Sequence, residues 1–113
     1  MDWQQVVTKF GGEAVREQVI IEGRVVDKTE MLDGKDVPVM LTVGQACINA
    51  LITEWEDERQ TGKQKFDRII LAMKINEDKP LTSEEVSQIK ERVGRQYRAD
   101  VVYNIWTALE AGK

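Results

Sequence analysis

The sequence predicts a predominantly helical α+β fold: a short N-terminal helix and a β-hairpin, then a four-helix C-terminal bundle. Three observations carry that expectation. β-Branched residues bounded by glycine, with an Asp33-Gly34 turn, occupy the first third of the chain. Apolar residues recur at helical spacing from Thr42 onward. Thr42 with Gln45 and Thr82 with Glu85 stand at the spacing of helix capping boxes. At 113 residues the chain fits one domain, 1–113, divided into 1–41 (short helix plus hairpin) and 42–113 (helical bundle).

Element by element, Asp2 caps an expected helix over residues 2–10, with Trp3, Val6, Val7 and Phe10 on its apolar side. Gly11-Gly12 ends it. Strands are expected near 19–27 and 36–41, joined through Asp33-Gly34, with Pro38 confining the second to an edge or bulge. The first bundle helix starts at Thr42 and lines Val43, Ala46, Cys47, Ala50 and Leu51 on one side. Thr61-Gly62 separates it from a second helix over 63–75, whose core face is expected to be Phe66, Ile69, Ile70 and Met73. Pro80 stops the following linker from continuing that helix. Thr82 or Ser83 caps a third helix with Val86, Ile89 and Val93 inside, and the last, over 99–111, buries Val102, Ile105, Trp106 and Leu109. No internal repeat is evident in the residue pattern.

Composition narrows the chemistry. There is no histidine, so the commonest general base and metal ligand is missing. Cys47 stands alone, which rules out an intramolecular disulfide and suits a reducing cytoplasm. It lies on an apolar stripe with no histidine to activate it, so it reads as a small buried hydrophobe. Ser83 serves a cap, and Ser87 has only Lys90 nearby as a candidate base. Carboxylates at Glu54, Glu56, Asp57, Glu58 and Asp67 match no calcium-loop frame, and no glycine-rich phosphate cradle is present. No cofactor or metal is expected. Neither a signal peptide nor an apolar run near the ~20 residues of a membrane span is seen, so no membrane partner is expected.

Binding is the remaining class. Net charge is -4, with 16 basic and 20 acidic residues. The first 42 residues hold five basic against eight acidic, and the remainder eleven against twelve. Lys90, Arg92, Arg95 and Arg98, with Tyr97, would form a positive ridge on an unbroken third helix, so a nucleic-acid-binding regulator is the alternative reading. Trp3 and Trp55 fit either a core edge or an interface anchor. The interface candidates are Trp3, Trp55, Arg92, Arg95, Tyr97 and Arg98, and the leading expectation is a non-enzymatic module that docks on a protein partner or on copies of itself.

The order Leu32-Asp33-Gly34-Lys35, Leu41 to Cys47, Leu71 to Ile75, Leu81 to Glu85, Ile89-Lys90-Glu91 and Val101-Val102 to Glu110 resembles that of small bacteriophage proteins of mostly unassigned role. The resemblance implies a small adaptor in the host cytoplasm: a tail-assembly chaperone, an assembly factor, or an inhibitor of a host or defence complex. It carries over no defined functional residue.

Overall fold

A computed structural model describes residues 2–9, 12–55 and 57–111, with the side chains of all of these except 19–21. It is an α+β chain in which four short strands precede four helices: β1 (Gln18–Ile21), β2 (Arg24–Asp27), β3 (Thr29–Leu32), β4 (Lys35–Pro38), α1 (Val43–Ile52), α2 (Gly62–Asn76), α3 (Ser83–Gln96) and α4 (Ala99–Ala111).

The N-terminal half departs from the expected single hairpin. Two antiparallel hairpins form, β1–β2 and β3–β4. Asp33-Gly34 is a turn as expected, with both residues at positive φ (52° and 78°), the pattern of a type I′ hairpin turn. Glu22-Gly23 repeats that geometry at 52° and 76°, so the apolar run expected as one strand over 19–27 folds back on itself at Gly23. Pro38 ends the edge strand β4 opposite Thr29.

Residues 2–9 form no helix. The Asp2 carboxylate accepts from the Gln4 N–H (3.1 Å), closing a turn, and the chain then runs extended, with bridges from Val6 to Thr42 and from Thr8 to Ala14. Val6-Val7-Thr8 is β-branched, and so short a helix gains too few internal bonds to compete with pairing to residues 41–44. Phe10 lies outside the described residues.

A repeat of eleven residues organises this half. Gly12, Gly23 and Gly34 are eleven apart and all have positive φ. Glu17, Lys28 and Val39 show the same spacing, and their backbones close a ring: Glu17 N–H donates to Val39 O (2.7 Å), Val39 to Lys28 (2.8 Å) and Lys28 to Glu17 (2.7 Å). Val7, Val15 and Leu41 close a second ring at 2.7–2.9 Å. The bases of the two hairpins thus meet the bridged segments at Val7–Thr8 and Ala14–Val15, where each strand end satisfies its neighbour's polar backbone.

The helical half packs around α1. Thr42 caps it by accepting from the Gln45 N–H (3.1 Å), while the Gln45 side chain turns to Asn49, so only half of the expected capping box forms. Thr82 and Glu85 make a full box on α3, and Thr61 and Gln64 one on α2. Val43, Gly44, Ala46, Cys47, Ala50 and Leu51 are buried on α1, which touches α2, α3 and α4. Gly44 is there because a Cβ would lie 2.9 Å from Trp3 Cβ. On α3 the stripe Val86, Ile89, Val93 is buried as expected. On α4 the buried set is Val101, Ile105, Ala108 and Leu109, leaving Trp106 39% exposed rather than in the core. The largest departure is α2: Leu71, Ala72 and Ile75 face inward together with Arg68, and the expected core face is on the outside.

Candidate interaction surfaces

The arginine row forms no open ridge. Arg92 is 8% exposed and ends at the C-terminus of α1: its Nε donates to Ala50 O (2.8 Å) and its Nη2 to Thr53 O (2.8 Å). Arg68 reaches the same place from α2, donating from Nη1 to Leu51 O and Thr53 O, both at 3.0 Å. α1 has no basic residue in its own last turn, so two neighbouring helices supply the cations that satisfy its last carbonyls and complement its dipole. Glu58 joins them, accepting from Arg92 at 2.8 and 3.3 Å and lying 3.9 Å from Arg68. The Arg92 hydrogen bond holds the Glu58 carboxyl below the ordinary glutamate value, while burial lowers Arg68.

Around this clasp the other candidates find internal partners. The Trp55 ring lies between the Arg92 and Arg95 guanidiniums, 4.2 and 4.3 Å from its centre, and its Nε1 donates to Gln96 (3.0 Å). Arg95 also pairs with Asp57, Arg98 with Asp100 (2.7 Å), and Lys90 with Glu110. Tyr97 packs against the core and donates to Ala46 O (3.2 Å); burial pushes its hydroxyl up to about 12. Trp3 is 7% exposed, packed on Gly44. Of the six residues expected at an interface, the fold brings Trp55, Arg92 and Arg95 together as a structural clasp. Trp3 and Arg92 are corrected to buried positions, because the N-terminal segment at Trp3 packs closely on Gly44, whose N–H donates to Trp3 O, and the end of α1 needs the guanidinium. Arg95 and Arg98 remain at the surface, and Trp55 is half-buried.

Burial pushes the Cys47 thiol up to about 12, which makes it a poor nucleophile. Among the described residues no group of three or more Cys, Asp or Glu is placed to hold a metal ion. Glu54 instead meets Lys65 (3.3 Å) and Glu85 meets Lys74 (2.7 Å). An open polar cleft of about 690 Å³ lies between the first hairpin and the α3–α4 junction. Within its lining Arg16 pairs with Asp27 at 3.0 Å, and Arg98 pairs with Asp100 beside it. No helix in the described residues is long and apolar enough to cross a membrane.

The largest exposed feature among the described residues of α2 is apolar. Phe66 (64% exposed), Ile69 (45%), Ile70 (37%) and Met73 (50%) make a continuous stripe along the outside of α2. Their spacing puts them within about 100° of the helix circumference, since each residue turns the helix by roughly 100°. This is the face that helical periodicity assigned to the core. The signal that distinguishes it was present: α2 carries a second apolar set, Leu71, Ala72 and Ile75, and a helix at the edge of a small domain buries only one. Val25, Met31 and Leu32 on the hairpin arms are exposed as well. No protein-family model, curated protein or solved structure matches this chain.

Proposed function

We propose that this chain is a non-enzymatic protein-interaction module, and that it docks through the outer face of α2. One observation carries the reading: four large apolar side chains, in register on a well-capped helix, face solvent while the polar candidates are engaged within the chain. A stripe of that kind is how an amphipathic helix presents anchors to a partner. The self-paired arginines favour this over the nucleic-acid alternative, since a phosphate would have to displace Asp57 or Asp100 to reach Arg95 or Arg98. A phage-encoded assembly factor, or an inhibitor of a host or defence complex, is the narrower form of the reading and rests on the resemblance alone.

The test is photo-crosslinking from a benzophenone amino acid placed at Ile69, with the exposed Tyr103 position on α4 as control. The proposal expects a protein adduct from position 69 that is absent from 103. Equal labelling from both positions, or none from 69, sinks it. A salt-dependent mobility shift on DNA or RNA, lost on Arg95→Glu with Arg98→Glu, would favour the alternative instead.

A further inference from the structure

We propose that the outer face of α2 seats a second copy of this chain, in an antiparallel two-fold pair. The inference rests on reading that face as the docking surface, and it names the occupant.

The order of side chains along the helix supports it. The stripe Phe66, Ile69, Ile70, Met73 has the same spacing read from either end. A two-fold axis between Ile69 and Ile70 therefore sets Phe66 against the partner's Met73, and Ile69 against the partner's Ile70, so large side chains meet without a register shift.

Charge selects the direction. Beside the stripe, on one flank, lie Lys63, Asp67 and Lys74, and the C-cap residue Glu77 follows at its C-terminal end, giving the order plus, minus, plus, minus. In an antiparallel pair, flank residues meet their own kind of flank in reverse order. Lys63 then lies opposite the partner's Glu77, and Asp67 opposite the partner's Lys74. A parallel two-fold pair would instead set this flank against the opposite one, where Lys65 and Asn76 stand and α2 offers no carboxylate to meet Lys63 or Lys74.

Lys74 apart, which suits the last turn, the charges at the two ends of α2 run against its dipole. α2 has no acidic residue in its first turn, where Lys63 and Lys65 stand against the positive end of the dipole. Glu77 and Asp78 stand at the negative end. α3 follows the usual rule, with Glu84 and Glu85 first and Arg95 last. Within the chain Lys65 and Glu77 are partly compensated by Glu54 and Lys79, and Lys74 holds Glu85. Lys63 and Asp67 make no ion pair among the described residues. An antiparallel neighbour lays its own α2 dipole in the opposite sense and brings carboxylates to the lysine end.

The experiment is sedimentation equilibrium of the full chain from micromolar to near-millimolar concentration, at low and high salt. The expected result is a monomer–dimer equilibrium abolished by Ile70→Glu and weakened about tenfold by Lys63→Glu. Combining Lys63→Glu with Glu77→Lys should restore it. Lys63→Glu places a carboxylate at the helix N-terminus and should raise the melting temperature of the monomer, so its loss of dimer cannot be unfolding. Three results would overturn the proposal: a monomer at every concentration, a dimer indifferent to Ile70→Glu, or a double swap that restores nothing. A wild-type monomer that still crosslinks to another protein from position 69 would refute self-pairing and leave the docking reading standing.

Discussion

α2 and α3 flank the same end of α1, and each sends one arginine to it, yet they treat their apolar residues in opposite ways. α3 buries its stripe of Val86, Ile89 and Val93 beside Arg92. α2 buries Leu71, Ala72 and Ile75 beside Arg68 and leaves Phe66, Ile69, Ile70 and Met73 in solvent. α3 has one apolar side, so burying it exhausts the choice. α2 has two, and the side that places Arg68 on the last carbonyls of α1 goes in. A polar requirement at a helix end thus settles which of two apolar faces is core.

The comparison is broken most severely at the clasp. Arg92→Ala takes the side-chain donor from Ala50 O and one of two from Thr53 O, strips Glu58 of its principal partner, and should cost about 3–5 kcal/mol of unfolding free energy in urea titration. On α2 itself, Leu71→Ala removes a side chain only 4% exposed and should cost about 2–5 kcal/mol. Phe66→Ala, nearby on the other side, should change the stability of the monomer by no more than about 0.5 kcal/mol while weakening association. Equal effects of the two α2 substitutions on the monomer would mean that both faces are covered within one chain.

A smaller effect sharpens the role of Glu58. Hydrogen bonds from Arg92 and Lys74 hold the Glu58 and Glu85 carboxyls below the ordinary glutamate value, so protonating either favours the unfolded chain. Their contribution is complete above the ordinary glutamate range and is lost as pH falls through the lower folded values. Stability should therefore decline on acidification, and Glu58→Gln should make that decline shallower, as followed by thermal melts between neutral and acid pH. With no histidine in the chain, its side chains supply no ordinary titration near pH 6.5.

Legibility in the sequence tracks how local each cause is. Thr82 with Glu85, the α3 stripe, the start of α1 at Thr42 and the Asp33-Gly34 turn all rest on contacts a few residues apart, and each is where the residue pattern predicts it. Residues 2–9 mimic a helix in sequence because helical spacing of Trp3, Val6 and Val7 is also what an extended segment shows when Trp3 turns in at Gly44. The second hairpin was legible in principle, since Glu22-Gly23 stands eleven residues before Asp33-Gly34. Arg92 and Trp55 look like surface residues in sequence because their partners are distant: Ala50 and Thr53, whose carbonyls Arg92 serves, and Gln96, to which Trp55 donates, are each about forty residues away. The face of α2 fails for the same reason: periodicity says that a stripe needs covering and is silent on whether this chain or another covers it.

Oxidative footprinting of the methionines tests the central claim most directly. Met73 lies in the α2 stripe and is 50% exposed, while Met31 on a hairpin arm is 68% exposed and serves as internal reference. In dilute protein both should convert readily to the sulfoxide. With rising concentration, Met73 should become protected relative to Met31 in the wild type and remain reactive in Ile70→Glu. Protection of Met73 at the lowest concentration, unchanged by dilution, would show the stripe covered within one chain and would contradict this account.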